Sequence, residues 1–277
     1  MDNNDIPIDF IMTGENFQKK TKLYVGYNTD FFYSNPNTIN DNVQKLVLSF
    51  INHYFDNPDI IFFQAHCIKE LSDKINFFKN NFILVSGNSD ENIYNNEYYL
   101  NLLNNSKIIK WYAQNNCINH PKMFSLPIGI ANKQWEHGNI DEFVKIVNNL
   151  PEKINNIYFN FQIQTNYNKR IVCYEEFKNY LPFLDTIDAN DNFKRLATYK
   201  FCICPEGNGF DSHRIWECYY LKVVPIVLNN DFIQLIKKQY NIPMIILEEW
   251  KDLINIPLNY DNFKNNFFYK KHEIMEL

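Results

Sequence analysis

Residues 199–227, YKFCICPEGNGFDSHRIWECYYLKVVPIV, constrain the fold of this chain more than any other stretch. An alternating run, Phe201-Cys202-Ile203-Cys204, suits a short strand that breaks at Pro205 into Glu206-Gly207-Asn208-Gly209. Apolar Ile215, Trp216, Tyr219 and Tyr220 then recur at helical spacing from Asp211 onward. The helix stops before a second buried strand, Val223-Val224-Pro225-Ile226-Val227. Strand, polar glycine-bearing loop, helix and strand in that order predict an α/β unit. In such a unit the loop and the helix N-terminus gather backbone N–H groups at the carboxyl end of the sheet, where an anion, typically phosphate, is favoured.

Charged residues in this unit fall at a regular spacing. Asp211 reads as an N-cap or first-turn residue, and Arg214 and Glu217 follow three and six positions on, close to one helix face and opposed in charge. One turn therefore offers a cation for a diphosphate, and the next a carboxylate able to accept from ribose hydroxyls. Arginine suits phosphate because its planar fork donates in pairs. A lone Arg–Glu pair at this spacing is ordinarily a surface ion pair worth about 0.2–0.5 kcal/mol. Here Glu206, Gly207, Asn208, Gly209, Asp211, His213, Arg214 and Glu217 crowd one loop and first turn, which favours a binding site.

These residues resemble the donor-binding signature of exostosin-like glycosyltransferases and, more loosely, that of the fucosyltransferases. The likeness rests on Phe201, Pro205-Glu206-Gly207-Asn208, Asp211, Arg214, Trp216, Glu217 and Val224-Pro225. It covers about thirty residues and is faint elsewhere. The resemblance implies a GT-B architecture: two Rossmann-like domains with mostly parallel sheets facing across a cleft. It further implies a nucleotide-sugar donor held by the C-terminal half and a glycan or glycoprotein acceptor held by the N-terminal half. Gly209-Phe210 stands where fucosyltransferase loops are longer and more polar, so the transferred sugar does not carry over.

Composition narrows the classes. The 277 residues suffice for two modest domains, and 45% hydrophobic content is ordinary for a globular chain. Heavy use of Asn, Ile, Lys, Phe and Tyr points to an AT-rich gene, which also accounts for the Asn clusters. Lys and Arg together number 27, yet only Arg170, Arg195 and Arg214 are Arg, all in the C-terminal half. A net charge of −5 without a basic tract argues against nucleic acid as partner. The start, MDNNDIPIDF, has no apolar run suited to a signal peptide or membrane span, so a cytoplasmic enzyme is expected; because many eukaryotic members of the resembled families are membrane-anchored, the resemblance then implies a microbial or viral origin, in host cytoplasm if viral. The six cysteines lack paired metal-ligand spacing and read as reduced core thiols. Cys202 and Cys204, which share a strand face, form the one pair placed for redox or metal chemistry.

Taken in order, strands are predicted at 23–26, 59–64, 82–85, 108–112 and 123–126, with helices over 43–55, 68–78 and 98–103 between them. This alternation predicts a parallel sheet. A helix over 142–150 ends at Pro151, which places the domain boundary there: 1–150 on the acceptor side, 151–277 on the donor side. The second domain reads as a strand at 156–161, a helix opening at Arg170, a short strand at 183–187, a helix at 193–198, the 199–227 unit, a helix at 232–240 and a strand at 244–247. From 260 the tail reads as aromatic and helical. Arg170, at a strand-to-helix turn, joins the candidate donor set.

Glycosyl transfer needs a neutralised diphosphate, an oriented donor and a base for the acceptor hydroxyl. The chain has no Asp-x-Asp triplet, so metal-independent transfer is expected, with no cofactor and with Arg214, Arg170 and the helix N-terminus in the metal's role. His213 is placed to donate to a phosphate or stack on the base. Asp90, in Ser86-Gly87-Asn88-Ser89-Asp90 after a buried strand, is the first choice of catalytic base, with Glu15 and Asp30 as alternatives. Gln114, Asn115 and Pro127-Ile128-Gly129 are expected to line the acceptor side. The fucosyltransferase likeness leans toward inversion. The competing class is a non-catalytic nucleotide- or sugar-binding module, which would keep Arg214 and Glu217 without a base. A dinucleotide enzyme ranks last, because no Gly-x-Gly-x-x-Gly spacing is present.

Overall fold

The computed structural model describes residues 5–21, 23–25, 38–39, 60–78, 80–133, 135, 137–269 and 271–276. The chain forms two compact units, Thr13–Ile128 with Glu273–Leu277, and Met1–Met12 with Gly129–His272.

The first unit is built on a six-stranded parallel sheet. Its strands are β1 (Leu23–Val25), β2 (Thr38–Ile39), β3 (Ile60–Gln64), β4 (Phe82–Gly87), β5 (Ile108–Ala113) and β6 (Met123–Ser125), in the order β2-β1-β3-β4-β5-β6. Every residue of β3 is buried, as a continuous apolar run in a sheet covered on both faces requires. Helices α1 (Gly14–Lys19), α2 (Ile68–Lys74) and α3 (Glu97–Asn104) belong to this unit. Thr13 and Asn96 start α1 and α3 by accepting from the third residue on, Asn16 N and Tyr99 N, each at 3.0 Å. Tyr99 then meets Trp111 edge-on, and the Trp111 indole donates to Ser86 Oγ at 2.8 Å, so this buried ring keeps its one polar atom satisfied. The helix expected over 43–55 and the turn 27–30 lie outside the described residues.

The second unit holds a four-stranded parallel sheet in the order β10-β9-β8-β7, with β7 (Asn155–Tyr158), β8 (Tyr199–Ile203), β9 (Val224–Leu228) and β10 (Ile245–Leu247). Its helices are α4 (Ile140–Asn148), α5 (Tyr167–Phe177), α6 (Ala189–Ala197), α7 (His213–Tyr220) and α8 (Asp231–Tyr240). The expected α/β class with parallel sheets is thus present in both units. Residues 129–150, read from the sequence as part of the first domain, cluster with this second unit. The cause is α4, whose Phe143 packs edge-on to Phe193 at 4.9 Å and to Tyr220 at 6.1 Å between ring centres. The N-terminal segment belongs here too: the buried Tyr220 hydroxyl accepts from Met12 N and donates to Phe10 O, both at 3.0 Å.

Three local expectations are corrected. No strand forms at 183–187. Pro182 precedes the run, and its apolar surface goes into a ring cluster in which Phe183 meets Phe159 at 5.0 Å, Phe161 at 5.4 Å and Tyr174 at 5.0 Å. Helix α5 begins three residues before Arg170, which places that arginine in its first turn. The tail is mostly irregular, with only single 3-10 turns at Tyr260–Asn262 and Glu273–Glu276. Among the described residues, positive φ outside glycine occurs at Asn88, Asn115, Lys222 and Asn241, and Gly129 alone among glycines has it. Lys222 is the left-handed residue that ends α7, with Val223 N bonded back to Cys218 O at 2.9 Å.

Lys153 closes two helix ends at once. Its Nζ donates to Ala197 O, at the end of α6, and to Leu221 O, at the end of α7, each at 2.6 Å. Helix C-terminal carbonyls lack internal partners, so one amino group there satisfies two orphans. Burial draws the Lys153 pKa down from its ordinary value to about 7. Between that value and the unfolded value near 10.5 the unfolded chain binds the extra proton, so stability rises with pH across this window. Lys153→Met is expected to cost about 1–3 kcal/mol in urea unfolding through the stranded carbonyls. The gap between wild type and variant should widen as pH is raised from about 7 to about 10. A gap that does not change with pH would mean that Lys153 stays fully charged in the fold.

Candidate functional site

The loop from Cys204 to Ser212 leaves the carboxyl end of β8 and is held at both ends by buried polar groups. At its start, Arg170 donates from Nε to Glu206 O at 2.9 Å and from Nη1 to Gln162 O at 2.7 Å. Asn166 Nδ2 donates to Gly207 O at 2.6 Å, and Lys169 pairs with Glu206 at 3.1 Å. At its end, Asp211 is 4% exposed and accepts from the Trp216 indole at 2.7 Å. A charged acceptor makes that bond stronger than a neutral one. The helix therefore starts at His213 with Ser212 as N-cap, two residues later than the sequence suggested.

Arg214 and Glu217 form the ion pair expected from their spacing, Nε to Oε2 at 2.8 Å, but it is not a surface pair. Their side chains are 21% and 10% exposed, and the guanidinium lies over the Tyr158 ring, 5.3 Å from its centre. Burial disfavours the charge on Arg214, and the surrounding groups, Glu217 foremost, together outweigh it and hold the guanidinium well above its ordinary pKa. Tyr158 donates to Asn192 and accepts from Arg195 Nη2 at 3.0 Å, which fixes the ring under Arg214. Arg170 feels the same charge: burial and then Arg214 lower its pKa.

The candidate residues divide between two cavities at this end of the sheet. Arg214 and Glu217 line the larger, about 590 Å³, together with His137, Asn160, Phe161, Thr186, Asp188 and Asn192. Glu206 lines the smaller, about 340 Å³, with Lys169, Asn229, Asn230 and Trp250. Both volumes suit a small-molecule site. Gly207 has room for a methyl group, whose nearest neighbour would be Arg170 Nη2 at 3.7 Å, so the fold does not demand glycine there. Gly207, Asn208, Gly209 and Asp211 line neither cavity. His213 Nδ1 lies 2.7 Å from Gly129 O, so its ring is tied to the backbone.

Residues that sequence patterns do not single out complete the larger cavity. His137 stands on a tight turn that only Gly138 permits, because a Cβ there would sit 1.8 Å from Asn132 O. The Trp135 to Gly138 stretch was the available signal. Asn160 is held by its own bond to Leu184 O at 2.6 Å, which aligns the segment that failed to become a strand. Ser212 is the other omission: its buried Oγ makes no hydrogen bond among the described residues, at the N-terminus of α7.

In the first unit, Asp90 is exposed at the carboxyl end of β4. The loop before it is fixed by buried amides, with Gln114 Nε2 and Asn115 Nδ2 donating to Ser89 O at 3.1 and 3.2 Å. Gln114 and Asn115 are 7% and 1% exposed, so they brace this loop rather than form a wall for an acceptor. Glu15, the alternative base, is buried in the first turn of α1, and Asp30 lies outside the described residues. The only group of three or more potential metal-ligating side chains among the described residues is Cys202, Cys204 and Cys218.

No family model matches the chain, and no curated protein does. Among solved structures, a candidate UDP-N-acetylglucosamine 2-epimerase from Listeria monocytogenes is similar at 10% identity and a TM-score of 0.40, over 91% of this chain and 85% of that one. No helix among the described residues is long and apolar enough to cross a membrane.

Arg170 is testable as a brace. Arg170→Ala should lower stability in urea unfolding by about 1.5–3 kcal/mol, the scale of a lost charge-assisted bond. Arg170→Lys should recover little of it, because one ammonium does not reproduce the planar fork that spans Glu206 O and Gln162 O. Full recovery with Lys would mean that only the charge matters.

Proposed function

We propose that the chain is a glycosyltransferase of GT-B type that takes its sugar from a nucleotide-sugar donor, held in the cavity lined by Arg214 and Glu217. The observation that carries this reading is that cavity itself. A half-buried cation and a buried carboxylate open together into about 590 Å³ at the carboxyl end of a parallel α/β sheet. Arg214 supplies charge for a diphosphate, and Glu217, Asn160 and Asn192 supply acceptors and donors for sugar and ribose hydroxyls. Phe161 gives an apolar wall for a ring.

In this reading Arg214 stabilises the charge that develops on the departing diphosphate, in the manner of a fixed electrostatic group. Asp90 is the base that deprotonates the acceptor hydroxyl, and the acceptor is a glycan or glycoprotein. Inversion at the anomeric carbon fits a single displacement with one base. Arg170 acts through the loop it braces.

The test is binding, followed by turnover. Arg214 cannot be removed alone, because Glu217 would be left as an uncompensated buried charge at a cost of about 3–5 kcal/mol. A charge-neutral pair, Arg214→Met with Glu217→Gln, avoids this. Wild type should gain melting temperature with one of the UDP-, GDP-, CMP- or dTDP-sugar series, with the shift persisting in EDTA, and the double variant should lose it. No shift with any series, or an equal shift in the double variant, rejects this placement of the donor. With a donor in hand, Asp90→Asn should lower kcat by about 10²–10⁴-fold while leaving donor binding unchanged. Donor binding without hydrolysis or transfer to any acceptor would point instead to a binding module.

A further inference from the structure

Three thiols converge behind the donor cavity, in a place that the proposed transfer does not use. Cys202 lies on β8, Cys204 follows its end, and Cys218 comes from the facing side of α7. Their Sγ atoms all lie within 4.8 Å of one another, and those of Cys204 and Cys218 are 3.8 Å apart. In a site with metal–sulfur bonds of about 2.3 Å, the sulfurs stand about 4 Å apart. A disulfide would employ two of these thiols and leave the third, whereas a metal employs all three.

The surroundings fit an ion as well. Cys204 lines the 340 Å³ cavity, which gives an ion a route to sulfurs that are otherwise 0–2% exposed. Sulfur ligands select soft ions, so this centre is distinct in kind from the hard divalent ion that a diphosphate would recruit.

We propose that Cys202, Cys204 and Cys218 form a binding site for one thiophilic metal ion of the zinc(II) or copper(I) class, which pins helix α7 to strand β8. The remaining thiols, Cys67, Cys117 and Cys173, lie outside it.

The experiment uses the full chain, reduced and stripped with a chelator, titrated with Cd²⁺ as spectroscopic probe and then with Zn²⁺. Sulfur-to-cadmium charge-transfer absorption should rise to one equivalent and be displaced by excess Zn²⁺, and Zn²⁺ should raise the melting temperature. Cys202→Ser, Cys204→Ser and Cys218→Ser should each weaken binding by about tenfold or more, whereas Cys67→Ser and Cys117→Ser should not. Absence of a stoichiometric band, or a band that survives all three replacements, overturns the site. Should the serine variants misfold by circular dichroism, alkylation of the wild-type protein decides. Zn²⁺ should protect Cys202, Cys204 and Cys218 by mass spectrometry, and equal labelling with and without Zn²⁺ overturns the site.

Discussion

The bond from the Trp216 indole to the Asp211 carboxylate is the constraint on which the second unit turns. Trp216 is fully buried, and an indole N–H sealed in a core without an acceptor would cost about 1–3 kcal/mol. Asp211 is itself buried, so its charge needs that donor as much as the donor needs it. Because the two residues stand five apart, the bond fixes where the loop ends and the helix begins. The rotation of α7 about its axis follows from this. Trp216, Tyr219 and Tyr220 turn toward the core, and Arg214 and Glu217 turn toward the cavity.

The same constraint explains why the loop is rich in polar residues of which few are left for a ligand. Asp211 serves the tryptophan, His213 engages Gly129 O, and Arg170 and Asn166 are spent on the carbonyls of Glu206 and Gly207. What reaches the cavity from the loop and first turn is Arg214 and Glu217. A dense motif in sequence is therefore partly a scaffold for two residues within it.

Much of the fold is legible in local sequence patterns. The continuous apolar run at β3 and the alternating run at β8 each form strands, and the 3.6-residue recurrence of Ile215, Trp216, Tyr219 and Tyr220 forms α7. The run 183–187 has the composition of a strand, but its bond from Leu184 N to Phe159 O does not extend into a ladder, and it gives Phe183 to an aromatic cluster that only tertiary contacts reveal. The boundary at Pro151 follows a visible helix stop, whereas the actual division depends on what α4 packs against, and a local pattern does not contain that. The site is legible in Arg214 and Glu217 because their spacing sets a shared helix face. His137 and Asn160 come to the cavity from distant turns; His137 is marked only by the glycine that follows it, and nothing in the neighbourhood of Asn160 distinguishes it from other polar loop residues.

The left-handed turns carry a consequence for how such a gene can drift. Asn88, Asn115 and Asn241 occupy backbone conformations that glycine ordinarily fills, and the chain has only 7 glycines. Asparagine is the side chain that tolerates this conformation best, and it is written with AT-rich codons where glycine needs GC-rich ones. Pressure on base composition and the demand for sharp turns are thus satisfied by the same residue. The excess of asparagine, which looks like noise along the sequence, is at these positions a way for a glycine-poor chain to keep the corners of its fold.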